Sequence, residues 1–277
     1  MKLQGGKPGV APTFCVPGAG TSVTGFIELV GALDSSWPVY GLQPRGMDGT
    51  TVPHATVAAA AAWYIRAIQG VCPDGPFHLL GHSFGGWIVF EMAIRLRQAG
   101  RHPASLTILD SDVPEADTHH NDFDSKETFF KLVEVLELTA ERSFGISAQD
   151  IDVRDEPARL KLLHQKMVQH GLLTSRSTDK VLYGPFRTFS RCLRTTYRPS
   201  AVYPGSLRLV LVNDPAKDEH TNRDLQAQTV HGWRRWAPNL TFSTGAGNHM
   251  TALKAPHVAT LARYLAADRD SSGRQPY

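Results

Sequence analysis

The pentapeptide Gly81-His82-Ser83-Phe84-Gly85 sits between Phe77-His78-Leu79-Leu80, an apolar run that reads as a buried strand, and Trp87-Ile88-Val89-Phe90-Glu91-Met92-Ala93, which reads as a helix. No other stretch restricts the fold as much. A Gly-x-Ser-x-Gly turn joining a strand directly to a helix holds the serine in a strained backbone and lifts its hydroxyl above the sheet edge. Glycine is needed at 81 and 85 because a Cβ at either position would collide with the neighbouring strand or helix.

The rest of the chain matches such a turn. Thr13-Phe14-Cys15-Val16 and Val39-Tyr40-Gly41-Leu42 read as strands, with a helix between them near 24–33 and another near 57–71. Leu106-Thr107-Ile108-Leu109 is the next strand and ends at Asp110. This alternation predicts an α/β fold, a mostly parallel central sheet with helices on both faces. The rhythm breaks from about 112 to 200, where no strand pattern appears. Helices are expected there near 126–138, capped by Asp124, and near 157–170 and 181–197. Such an insertion reads as a lid over the strand ends. Alternation resumes with a strand at 207–212, a helix near 222–236, a short strand at 240–242 and a last helix near 256–266. Residues 1–12 and 268–277, rich in Gly, Lys, Pro and polar residues, read as a linker and a polar tail around a unit spanning 13–267.

Composition excludes several functions. A net charge of +3 over 277 residues is too small for nucleic-acid binding. The longest apolar run, near 57–65, is too short to cross a bilayer, and residues 1–8 lack the apolar stretch of a signal peptide. Cys15, Cys72 and Cys192 match neither a metal spacing nor an even disulfide set, so a reduced, cytoplasmic protein is expected.

A serine hydroxyl needs a base to become a nucleophile, and the base needs an acid to orient it. Behind such an elbow the order along the chain is serine, acid, histidine. His249 lies in Gly245-Ala246-Gly247-Asn248-His249, after the last strand and before the last helix, and is the expected base. Two aspartates end strands that face the elbow, Asp110 and Asp214, and the order along the chain admits either. Two backbone N–H groups must hold the oxyanion. Phe84 supplies one, and the Pro17-Gly18-Ala19-Gly20 turn the other, with Ala19 the expected donor and Gly18 the alternative.

Three segments carry a family resemblance: Phe14-Cys15-Val16-Pro17-Gly18-Ala19-Gly20, Val39-Tyr40-Gly41-Leu42-Gln43-Pro44-Arg45-Gly46-Met47-Asp48-Gly49 and Gly81-His82-Ser83-Phe84-Gly85-Gly86. Together they resemble the terminal thioesterase domain of nonribosomal peptide synthetases, over nearly the whole chain between its two ends. The middle segment discriminates best. The resemblance implies an α/β-hydrolase fold and favours Asp110 as the acid, since Leu109-Asp110-Ser111-Asp112 is similar to that family's acid segment. It departs from many relatives in Pro17-Gly18, where His-Pro is common, and in His82, where Trp is common. It implies release of a peptidyl or acyl chain from the phosphopantetheine arm of an upstream carrier domain through an acyl-Ser83 intermediate, by hydrolysis or macrocyclisation. No metal or other cofactor is called for. The alternatives are an editing thioesterase that clears misloaded carriers, and an idle docking domain, which Ser83 and His249 together argue against.

Arg187, Arg191, Arg194 and Arg198 recur at helical spacing beside an apolar stripe of Phe186, Phe189, Leu193 and Tyr197. Read as one face of one helix, they form a candidate docking surface for an acidic carrier domain.

Overall fold

The structure, a computed structural model, describes residues 1–114 and 123–272. Seven strands form one sheet: β1 (Lys2–Gln4), β2 (Thr13–Val16), β3 (Val39–Gly41), β4 (His78–His82), β5 (Ser105–Leu109), β6 (Leu207–Leu211) and β7 (Leu240–Thr244). Their spatial order is β1-β3-β2-β4-β5-β6-β7. Only β1 runs antiparallel, against β3; every other pair is parallel. β2, β4 and all of β5 except Ser105 are buried at every position, as in a parallel sheet covered on both sides.

Helices α2 (Val57–Val71), α3 (Phe84–Gln98) and α8 (Glu219–Arg234) cover one face, and α1 (Ile27–Ala32) and α9 (Val258–Ser272) the other. The chain leaves β2 toward β3 on one side and returns to β4 on the other. The crevice at this reversal lies at the carboxyl ends of β2 and β4, where open α/β sheets place ligands. Ser83 follows β4 at this point.

The insertion between β5 and β6 is helical, as expected: α4 (Ser125–Ala140), α5 (Ala148–Asp152), α6 (Glu156–Gln169) and α7 (Tyr183–Leu193). Asp124 caps α4 in a reciprocal box with Glu127. These helices enclose their own core around Phe129, Phe144, Leu160, Leu163 and Phe186. The lid is therefore a small packed unit, since its helices bury their apolar stripes against one another. Residues 115–122 of the expected lid lie outside the described residues.

Three expectations need correction. The segment 1–12 is not simply a linker, because Lys2–Gln4 extends the sheet as an edge strand and Gln4 donates to the carbonyls of Asp34 and Trp37. The tail beginning at 268 is the last turns of α9: Asp268 pairs with Arg208, and Arg269 lies 4.2 Å from the Trp37 ring centroid and donates to Thr13 Oγ1 at 2.6 Å. Residues 273–277 lie outside the described residues. Third, α7 ends at Leu193, four residues short of Tyr197. Among the described residues no helix is long and apolar enough to cross a membrane.

Candidate active site

Ser83 has φ 54° and ψ −127°, a left-handed conformation for a residue with a Cβ. Such a conformation costs about 1–3 kcal/mol and persists only where its surroundings enforce it. They do so here. The Ser83 N–H donates to the Leu109 carbonyl at 2.8 Å, and Gly86 N–H donates to the Ser83 carbonyl at 2.8 Å. A Cβ on Gly81 would lie 2.4 Å from the Gly85 carbonyl oxygen, and one on Gly85 2.3 Å from that of Val16. The strand, the turn and the helix thus approach as closely as bare backbone permits. Ser83 occupies the N-cap of α3, yet its side chain makes no capping hydrogen bond, so the hydroxyl is not spent on the helix.

His249 Nδ1 meets Asp110 Oδ2 at 2.7 Å. Asp110 ends β5 in a left-handed conformation (φ 48°), and its other oxygen accepts the Val212 N–H at 3.1 Å. Its loop is braced by two indoles: Trp233 donates to the Ser111 carbonyl at 3.0 Å and Trp87 to that of Asp112 at 2.8 Å. The histidine loop holds its shape through an Asx turn, in which Asn248 Oδ1 accepts the N–H groups of Met250 and Thr251. Gly247, at φ 79°, lets this loop pass against His257. Burial pulls the His249 pKa down, but the hydrogen bond and charge of Asp110, together with the charge of Asp112, outweigh it. The net result lies above the ordinary histidine value.

The turn after β2 lies directly over Ser83: a Cβ on Gly18 would come within 3.1 Å of the Ser83 Cβ. The Gly18 carbonyl is taken by the Thr21 N–H and hydroxyl. The N–H groups of Ala19 and Phe84 have no acceptor among the described residues. The Phe84 amide also lies at the positive end of α3. The lid helix α7 clamps this turn, since a Cβ on Gly20 would collide with Phe189 at 2.7 Å.

Asp214 is not part of this constellation. Its carboxylate is occupied by its own turn, accepting the Ala216 N–H at 2.9 Å and pairing with Lys217 at 2.8 Å. The hydrogen bond from Lys217, then that from the Ala216 backbone, holds its pKa below the usual carboxylate range. Of the four arginines, Arg187, Arg191 and Arg194 follow one exposed side of α7 and its C-cap, and Arg198 lies beyond the helix. Arg187 donates to the Gly49 carbonyl (3.0 Å) and Arg194 to that of Phe123 (2.8 Å). Arg194 is the C-cap of α7 and Arg198 lies beyond it, while Arg191 lines a cleft beside Ser83. Beyond Arg194 the chain leaves helical geometry, and Tyr197 donates to buried Glu91 at 3.0 Å.

Two features escaped the sequence reading of the site. His82, buried in β4, has its ring 5.0 Å from that of His249, and its Nε2 lies 3.0 Å from the His249 carbonyl oxygen. Burial, then the neighbouring His249 charge, lowers its pKa to about 4, so it stays neutral and donates to that carbonyl. The second is the purpose of the Gln43–Gly49 segment. Asp48 Oδ1 accepts the N–H groups of Thr50 and Thr51, and these bonds pull its pKa to about 2. The loop they hold is the seat of α7, because a Cβ on Gly184 would lie 2.2 Å from the Met47 carbonyl oxygen. The Gly-rich pattern was visible, but the counterpart of Met47 lay 137 residues away in the chain.

The comparisons with known proteins agree with this geometry. The chain is 32% identical over 186 residues to malpibaldin synthetase of Mortierella alpina, covering 65% of this chain and 3% of that protein. It is 29% identical over 270 residues to the nonribosomal peptide synthetase btyA of Aspergillus terreus, covering 95% of this chain and 28% of that one. The chain therefore spans only a small part of the curated relatives it matches. The Vlm2 thioesterase domain shares its fold with a TM-score of 0.69, at 22% identity over 96% of both chains. The model of the Thioesterase domain matches residues 11–268. With an elbow serine, a histidine–aspartate pair and unpaired amides on one sheet edge, the chain belongs to the thioesterase domain family.

Proposed function

We propose that this chain releases a peptidyl or acyl group from the phosphopantetheine thioester of a carrier domain, through an ester on Ser83. The observation that carries the reading is the 2.7 Å His249–Asp110 contact beside the elbow serine. His249 removes the proton from Ser83 Oγ, and the oxygen attacks the thioester carbonyl. The Ala19 and Phe84 amides stabilise the oxyanion that forms. Collapse of the tetrahedral intermediate expels the thiolate, which takes the proton held by His249. Asp110 orients the imidazole and offsets its positive charge. In the second half, water or an internal hydroxyl or amine of the chain surrenders its proton to His249 and attacks the ester, giving an acid, a lactone or a lactam. Protons and electrons balance without a metal or a redox group. The relatives are multidomain synthetases, which supports release of a finished chain over editing of misloaded carriers.

The test presents the protein with peptidyl thioesters that carry or lack an internal nucleophile and weighs the products. Labelling by a fluorophosphonate and turnover of every thioester are expected to vanish together in Ser83→Ala. Labelling that survives this substitution, or turnover within tenfold of the parent, would overturn the assignment.

A further inference from the structure

Beside Ser83 opens a narrow cleft of about 40 Å³. Its inner wall includes Gly18 and Phe84, the two residues that flank the serine, and its floor is apolar, with Ala60, Tyr64 and Ile88. The opposite wall belongs to α7 and the loop that seats it. From these come two guanidinium groups, Arg191 and Arg45, separated by 146 positions in the chain. Neither has an ion-pair partner among the described residues, and no acidic side chain lines the cleft.

Two further groups in the same walls lack partners. Thr188, one helical turn before Arg191, is 4% exposed, and its Oγ1 has no hydrogen-bond partner. His54 Nε2 is likewise buried and unpaired. Solvated surface arginines would explain Arg45 and Arg191 alone, but not an enclosed hydroxyl with nothing to bond. Buried polar groups are nearly always satisfied, so the walls of the cleft still have hydrogen bonds to offer a ligand. The surroundings set the sign of that ligand. Trp63 lies between Arg45 and Arg66, with guanidinium carbons 5.9 and 5.5 Å from its ring centroid. Burial, then Arg45 and Arg66, push the His54 pKa down. The site is positive and holds no anion of its own.

We infer that this cleft binds a carboxylate carried by the chain esterified to Ser83, so that the enzyme prefers acyl groups with an acid a few bonds from the reacting carbonyl. The inference rests on the thioesterase reading of Ser83. Two exposed arginines lining the cleft, with a buried hydroxyl and an imidazole in its walls, supply the kinds of donor that carboxylate recognition uses. The phosphate of a phosphopantetheine arm has the same chemistry. However, the whole pantetheine chain separates it from the thioester, whereas the cleft begins at the residues touching Ser83.

The experiment uses N-acetylcysteamine thioesters, which carry no phosphate. A ladder of ω-carboxyacyl chains, from succinyl to suberyl, is compared with the matching monoamides and with a 6-aminohexanoyl thioester. At the best length, kcat/KM for the acid is expected to exceed that for its amide by about tenfold, the scale of one charge-assisted contact. Arg191→Glu is expected to bring this ratio below one and to raise the ammonium chain relative to the acid. A merely misfolded variant would lower all three together and could not invert their order. Equal rates for acid and amide at every length would overturn the inference, as would a preference that appears only when an arm phosphate is present. Ser83→Ala protein titrated with the same pairs by calorimetry separates the two readings. Preferential binding of the acid without turnover in the parent would sink the thioesterase reading and keep the cleft, and turnover without preference would do the reverse.

Discussion

In the proposed mechanism the side chains of Ser83, His249 and Asp110 carry the chemistry. The raised pKa of His249 has a definite sign: the base must be neutral, so activity is lost as pH falls through that pKa. The acid limb of kcat/KM is expected above the ordinary value of about 6.5. Asp110→Asn removes the opposing charge and is expected to move this limb to lower pH while reducing the plateau by about 10²–10⁴-fold. A pH–rate profile of the two proteins checks both, and an unmoved limb would contradict the pairing. His82 acts on the loop rather than on the substrate. Its Nε2–H pins the His249 carbonyl, and two cations cannot share so short a distance, so it remains neutral while His249 titrates. His82→Phe keeps the ring and removes the donor. A drop of about tenfold in kcat is expected, the size of one lost hydrogen bond, with KM nearly unchanged. At this scale the serine and histidine were legible in the sequence, because an elbow and a Gly-rich loop are local patterns. His82 was not, since its partner is a carbonyl 167 residues away.

Among the elements, the lid helix α7 and the loop at 43–49 act as one part. Gly184 meets Met47, Arg187 meets the Gly49 carbonyl and Gly20 meets Phe189, so the lid, its seat and the turn over Ser83 are in mutual contact. A methyl at 184 has only backbone to push against. Gly184→Ala is therefore expected to destabilise by about 1–3 kcal/mol and to slow turnover through the displaced turn. Denaturant unfolding and kcat/KM check this; an unchanged pair would mean the seat is dispensable. The same helix stops short of Arg198. The arginine spacing continues past Leu193, but the chain turns inward there because Glu91, 1% exposed inside α3, requires partners. Tyr197, Ser200 and Arg95 supply them. A buried carboxylate outweighs the small helical preference of four more residues.

Over the whole molecule, both ends close the sheet. Arg208 on β6 holds Asp268 through both carboxylate oxygens, and Arg269 reaches across to Ala11, Thr13 and Trp37 near the other end of the chain. Asp268→Ala leaves a largely covered guanidinium without this partner, and a loss of about 1–2 kcal/mol in denaturant unfolding is expected with the active site intact. Stability equal to the parent would return this segment to the status of a tail. The sequence by itself determined the βα alternation, the elbow at Ser83, the insertion and the loop of His249. Each depends on neighbours within a few residues, through hydrophobic period, glycine and turn chemistry. Only the tertiary structure set Asp110 against His249 and Asp214 in its own turn, left Arg198 beyond the helix of the other three arginines and made a strand and a helix end of the two apparent tails. Those outcomes depend on which groups the fold brings against a carboxylate or a sheet edge. Asp214 is taken by its own turn, whereas Asp110 is left facing His249 across 139 positions of chain.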